Sequence, residues 1–314
     1  MAPDPGPACA ACGARDLRLR HRVAGEAGQA GLIPTTDRYG TALGDLLLCS
    51  ACGHMQTHPP PSAAQLRAGY AEAASDDYLE EEAGQRETAR RALAHLEEFA
   101  SPGRLLDVGC WTGFLLDEAR RRGWEPLGLE PSRFARTYAR ERLGLPVLDA
   151  RLEDAELPAG ELRAAVMADV VEHLLDPGRA LARVRGWLGP EGVLCLMLPD
   201  AGSRVARAMG RRWWSVLPTH VQYFTRHSLA VLLGRHGFDV LAQTTAPKAF
   251  TVGYYLRRTS GYSEGLSAAL VAGSRALGLA DRLWAPDFGD RMLTVARRAP
   301  QSAAERPRSD ARSA

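Results

Sequence analysis

Between Gly103 and Leu198, short apolar runs alternate with amphipathic stretches bounded by glycine, proline and capping residues. Arg104-Leu-Leu-Asp-Val108 predicts a buried strand ending in Gly109-Cys-Trp-Thr-Gly113, and residues 114–122 predict a helix stopped by Gly123. A second strand over residues 124–129 runs into Glu130, after which Ser132 caps a helix reaching residue 143. Residues 146–148 predict a third strand, 163–168 a fourth and 192–198 a fifth. Asp176-Pro177 supplies a cap and a first-turn proline for a helix over 178–188. Strands alternating with helices of this length predict βαβ units: an α/β, doubly wound parallel sheet covered on both faces. The first seventy residues lack this alternation; there, residues 41–48 read as the returning strand of a hairpin.

A length of 314 residues is enough for about two domains. Lys+Arg 39 against Asp+Glu 37 leaves a net charge of +2, which argues against a protein that lives mainly on phosphate backbones. The strongest apolar run, Val193-Leu-Cys-Leu-Met-Leu198, has the length of a strand and falls far short of a membrane span. The start, Met1-Ala-Pro-Asp-Pro-Gly-Pro7, has no basic, apolar leader, so the expected location is the cytoplasm. Lys248 is the only lysine, Ile33 the only isoleucine, and asparagine is absent. Such usage is what a GC-rich genome produces, so the abundance of arginine is not read as selection for anion binding.

Four of the six cysteines form two pairs, Cys9-Ala-Ala-Cys12-Gly and Cys49-Ser-Ala-Cys52-Gly. Each CxxC places two thiolates around one tight turn, and two turns complete the tetrahedral set that holds structural Zn²⁺. A disulfide framework is a poor reading for a chain expected in the cytoplasm. Residues 1–62 are therefore expected to form a zinc-ribbon-like segment, stabilised by metal because its few large apolar side chains bury too little. His54 and His58 read as exposed loop histidines, and Cys110 and Cys195 as core residues.

The chemistry-bearing pattern is a strand, a glycine turn, a helix, and an acid at the end of the next strand. Glycines let backbone N–H groups approach a ligand, and Glu130, 21 residues after Gly109, stands where an acid accepts ribose hydroxyls. Asp107-Val-Gly-Cys-Trp-Thr-Gly113, Gly128-Leu-Glu130 and Asp169-Val-Val-Glu-His-Leu174 resemble class I S-adenosylmethionine-dependent methyltransferases, most closely ubiquinone-type O-methyltransferases and sugar- or polysaccharide-pathway methyltransferases. The likeness covers about residues 70–298. It implies a Rossmann-like, seven-stranded sheet in a domain over 63–298, with a helical insertion at 253–290 between strands near 238–246 and 291–298. Residues 299–314 read as a disordered polar tail.

The resemblance also implies roles. Asp107, Gly109, Cys110 and Gly113 would surround the methionine part of S-adenosylmethionine, Glu130 its ribose, Leu152 its adenine, and Ala168 and Asp169 its sulfonium. Trp111 stands where the family usually has glycine, so its indole either turns away or covers part of the pocket. Arg86, Arg90 and Arg91 are candidates to clamp the cofactor carboxylate. His173 is the candidate general base, with Glu172 as orienter or substrate contact. Tyr78, Trp214, His220 and Tyr223 are candidate acceptor-side residues, aromatic rings being suited to a sugar face. The expected acceptor is a small molecule or glycan, with a sugar or secondary-metabolite hydroxyl favoured. The alternatives are an RNA methyltransferase whose ribbon docks nucleic acid and a sugar C-methyltransferase. The insertion is a candidate for shaping the acceptor site or a homodimer contact.

Overall fold

The computed structural model describes residues 6–23, 39–66 and 79–300. A seven-stranded sheet forms its centre, built from β4 (Arg104–Val108), β5 (Glu125–Leu129), β6 (Val147–Leu148), β7 (Leu162–Ala168), β8 (Leu188–Pro199), β10 (Phe238–Thr245) and β13 (Arg291–Arg298). Their order is β10-β13-β8-β7-β4-β5-β6. β13 runs antiparallel to both neighbours, whereas β6, β5, β4, β7 and β8 are parallel. The chain crosses from β4 outward to β5 and β6, then returns to β7 on the other side of β4. Between β4 and β7 the sheet therefore opens a crevice at the carboxyl ends of its strands, where ligands of such folds bind.

The core explains why these strands read as unbroken apolar runs. Leu106, Val108, Ala165, Met167, Leu194 and Leu196 pack on one face with the helix Pro177–Trp187 (α4) and the helix Arg226–Arg235 (α6). Their neighbours Leu105, Ala164, Val166, Val193 and Cys195 pack on the other, against helices Glu82–Glu97 (α1) and Phe114–Arg121 (α2). Alternate residues thus bury on opposite faces, the signature of a sheet covered on both sides. Ser132 caps the helix Arg133–Glu141 (α3) by accepting the Ala135 N–H, and Asp176 caps α4 by accepting the Arg179 N–H. The fifth predicted strand begins earlier than its apolar run, at Leu188.

At the N-terminus, β1 (Leu17–His21), β2 (Asp45–Cys49) and β3 (Met55–His58) form an antiparallel meander. The short helix Arg204–Met209 (α5) follows the central β8. A fourth strand, β9 (Gln222–Tyr223), comes from the larger part of the chain and pairs with β3. The insertion holds helices Val252–Arg257 (α7) and Glu264–Ala276 (α8). It is also clasped by the two-residue strands β11 (Phe250–Thr251) and β12 (Leu283–Trp284). Strands that short carry no periodicity, so the sequence read this region as helical throughout. Among the described residues, no helix is long and apolar enough to cross a membrane.

Candidate functional site

The turn after β4 is built on left-handed backbone: φ is 68° at Gly109, 47° at Trp111 and 83° at Gly113. Glycine adopts this region freely, whereas a tryptophan there is strained. The backbone N–H of Trp111 is held by Glu130 Oε2 at 2.8 Å, and Ser132 donates its N–H to Glu130 Oε1 at 2.7 Å. Glu130 is thereby fixed at the end of β5 with its carboxylate on the wall of a cavity of about 950 Å³. Burial pushes this carboxyl up to about 7, against the two N–H bonds that favour its ionised form. Asp107 is buried below, with its carboxyl raised first by desolvation and then by the nearby Glu130 charge. Gly109, Glu130, Leu152, Ala168 and Asp169 all line the large cavity. Asp107 and Cys110 line a smaller one, about 130 Å³, beneath Trp111. Trp111 lines both cavities, and its indole lies 6.3 Å from the Phe134 ring.

At the end of β7, Asp169 also has positive φ, 55°. Its two oxygens meet Lys248 Nζ at 2.6 Å and Arg291 Nη2 at 2.5 Å. Burial alone would raise this carboxyl, but Arg291 and Lys248 outweigh it and hold the group far below the carboxylate range. The next turn brings His173 beside His220, with ring centroids 4.8 Å apart and nearly perpendicular. His173 Nδ1 lies 2.7 Å from the Thr219 carbonyl, and His220 Nδ1 lies 2.8 Å from that of Ser215. A carbonyl only accepts, so each Nδ1 carries the proton and the lone pair of each neutral ring is on Nε2. Burial lowers the pKa of His173, and burial together with His173 pushes His220 down to about 3. Both rings are therefore neutral bases near pH 7 on the cavity wall.

Glu172 is placed differently from the sequence expectation. It is buried behind the histidines, and neither carboxylate oxygen has a hydrogen-bond partner among the described residues. Burial, and then Asp169, push it up to about 8. It stands near the histidine pair, one ligand atom of each lying within 4.8 Å of the others, but outside the cavity lining. Tyr223 likewise sits behind the wall: it is buried and its hydroxyl donates to the His220 carbonyl at 3.2 Å. Gly113 lies away from both cavities; a Cβ there would come within 2.7 Å of Leu145 Cδ1, so its conformation and packing explain it. Trp214 does line the cavity, edge-on to Phe288 at 5.7 Å. Tyr78 lies outside the described residues.

The three arginine candidates on α1 are occupied elsewhere. Arg86 binds Glu82 at 2.6 Å, Asp117 at 2.7 Å and Glu118 at 3.1 Å, knitting α1 to α2. Arg90 and Arg91 both pair with Glu87. Lys248 and Arg291 are the cations that line both cavities. Lys248 could have been marked by being the chain's single lysine; nothing local marks Arg291.

The cysteine pairs converge as their spacing suggests. Sγ of Cys9 and Cys52 are 3.6 Å apart, as are those of Cys12 and Cys49, and all four lie within 4.8 Å of one another. These separations exceed a disulfide bond and match thiolates ~2.3 Å from one tetrahedral zinc, which would stand ~3.8 Å apart. Cys110 and Cys195 are buried, as expected. His54 is not an exposed loop residue: it is 0% exposed, its Nε2 bonded to Gln222 at 2.8 Å and its ring 4.5 Å from Phe224. The strand pairing of β3 with β9 encloses it, which no local pattern announces.

Residues 80–243, just over half of the chain, match the family profile described as a methyltransferase domain. The chain belongs to the methyltransferase family. A ubiquinone biosynthesis O-methyltransferase of Cereibacter sphaeroides is 33% identical over 150 residues, covering 43% of this chain and 60% of the relative. One of Rhodopseudomonas palustris is 26% identical over 117 residues, covering 36% and 42%. The chain thus spans less than two thirds of the length of these relatives. The fold of this methyltransferase-family chain is shared with the 1,6-didemethyltoxoflavin-N1-methyltransferase of Burkholderia thailandensis. That similarity has a TM-score of 0.52 at 15% identity and covers 80% of this chain and 97% of the other. Order and direction of the seven strands are those of the class I methyltransferase fold that the motifs resembled.

Proposed function

We propose that this chain is an S-adenosylmethionine-dependent methyltransferase acting on a hydroxyl of a small molecule or glycan, with Zn²⁺ held by Cys9, Cys12, Cys49 and Cys52. The supporting observation is one cavity of about 950 Å³ whose wall carries Glu130, Asp169, His173, His220 and Trp214 together. S-adenosylmethionine, when bound, would supply an electrophilic methyl on a sulfonium, open to in-line displacement by an acceptor oxygen with the thioether as leaving group. Glu130 would accept the ribose hydroxyls with the lone pairs left by its two N–H bonds, and Leu152 would cover the adenine. Asp169 and Ala168 would stand near the sulfonium, and Lys248 and Arg291, which line the smaller cavity, would meet the carboxylate of the amino-acid tail.

On the acceptor side, the Thr219 carbonyl fixes the His173 ring so that Nε2 takes the hydroxyl proton as the oxygen attacks. A neutral imidazole is required for this step, and burial keeps it neutral. Trp214 and the aromatic residues of the insertion form a wall suited to a sugar ring or a planar acceptor. Incubation with methyl-labelled S-adenosylmethionine and candidate extracts tests the reading: a labelled product is expected with the wild type and lost with His173→Gln. Equal labelling by both proteins would remove His173 from the mechanism.

A further inference from the structure

Methyl transfer as described leaves the cysteine ribbon without a part, yet the ribbon is bonded directly to the segments that carry the two histidines. β9 continues the ribbon sheet beyond β3, with Met55 opposite Tyr223 and Gln56 opposite Gln222. Thr57 donates its N–H to the Val221 carbonyl at 3.0 Å, and its hydroxyl donates to the His220 carbonyl at 3.4 Å. Val221 donates in turn to the Glu172 carbonyl at 2.9 Å. The ribbon strand, the His220 segment and the Glu172–His173 turn are therefore successive rungs of one hydrogen-bonded ladder.

A buried side-chain bridge runs beside this ladder. The Gln222 amide nitrogen donates to the Leu174 carbonyl at 3.1 Å, leaving Oε1 to accept from His54 Nε2 at 2.8 Å. Gln222 is 5% exposed and His54 0%, so water does not replace either bond if it is removed. His54 follows the Cys49–Cys52 turn directly, and its carbonyl accepts the Cys49 N–H at 2.8 Å. One path thus runs from the cysteine turn through His54 and Gln222 to the residue after His173. The cofactor end, Gly109 with Glu130, shares none of these bonds among the described residues.

We infer that the metal-held ribbon is the positioning element of the histidine pair, and that Gln222 is the positioning residue through which it acts. This inference rests on the reading of His173 and His220 as acceptor-side groups, but its test does not depend on knowing the acceptor. Loss of the ribbon metal, or of the Gln222 bonds, displaces both imidazoles and leaves the cofactor end as it was.

The experiment uses the full chain labelled with ¹³C at histidine. Among eight histidines, the signals of His173 and His220 are assigned with His173→Asn and His220→Asn, and exposed His95 on α1 serves as a reference. Spectra are compared for the wild type, the wild type stripped of metal by a chelator under reducing conditions, and Gln222→Met with its metal content verified. S-adenosylhomocysteine affinity is measured calorimetrically on each. The His173 and His220 signals are expected to move in both altered forms while His95 stays, with affinity unchanged within about twofold, as for sites without shared partners. Unmoved His173 and His220 signals in Gln222→Met would overturn the inference, as would a parallel loss of S-adenosylhomocysteine binding in that variant. Should metal removal unfold the chain, Gln222→Met alone decides. If the wild type fails to bind S-adenosylhomocysteine, the methyltransferase reading falls, while the histidine signals still decide the coupling.

Discussion

Glu130 and Trp111 are joined by a 2.8 Å hydrogen bond from the tryptophan backbone N–H to the glutamate carboxylate, which locks a strained turn to the acid at the end of the next strand. This bond makes the charge of Glu130 a condition of the binding geometry. Burial brings its carboxyl up to about 7, so lowering the pH through that value protonates it and removes an acceptor for the ribose hydroxyls. S-adenosylhomocysteine affinity is therefore full well above about 7 and declines as the pH falls through it, levelling off at the affinity of the neutral carboxyl. Calorimetric titrations across that range should show the decline in the wild type and a flat, weaker response in Glu130→Gln.

Trp111 at φ 47° carries the cost of a left-handed backbone, about 1–2 kcal/mol for a residue with a Cβ. Glycine removes this cost together with the indole, whereas alanine keeps the cost and loses the indole. Trp111→Ala should thus be less stable than Trp111→Gly by about 1 kcal/mol, the extra backbone entropy of glycine offsetting part of the gain. Denaturant midpoints of the two variants check the order; alanine at or above glycine would contradict the strain.

Lys248 and Arg291 flank Asp169 at the junction of the two cavities, placing the cationic pair where the amino-acid tail of the cofactor is proposed to lie. Lys248→Met should weaken S-adenosylhomocysteine about tenfold, the order expected for one charge-assisted hydrogen bond. Binding of 5′-methylthioadenosine, which lacks the tail, should be unaffected. Equal weakening of both ligands would place Lys248 in a general structural role.

His173 has its pKa lowered by burial, so the proton-accepting form persists into mild acid. For a base whose neutral form is active, activity is complete above the folded pKa and is lost as pH falls through it. The acid limb of methyl transfer should therefore lie below the ordinary histidine value of about 6.5. A rate profile on any accepted substrate measures it, and a limb above 6.5 would assign the titration to another group.

The legible part of this molecule is local. The strands Arg104–Val108 and Arg291–Arg298, the caps at Ser132 and Asp176, and the paired CxxC turns each depend on a few consecutive residues. The positions of Gly109 and Glu130 also follow from strand ends, so their place on the cavity wall is legible in the sequence. What escaped depends on partners far along the chain. His54 and Gln222 are 168 positions apart, and Asp169 and Arg291 are 122 apart. The two-residue strand β9 is too short for any periodic signal, yet it buries His54 and joins the ribbon to the segment that carries His220. Glu172 and Tyr223 belong to the right segments but point behind the wall, a distinction that only packing decides.

The central claim, that the cavity between Gly109 and Glu130 receives S-adenosylmethionine, is tested most directly by calorimetric titration of S-adenosylhomocysteine into the wild type and Glu130→Ala. One molecule per chain should bind the wild type, and loss of hydrogen bonds to a buried carboxylate should weaken binding at least about tenfold in the variant. Absence of binding to the wild type, or equal affinity in the two proteins, would contradict the account.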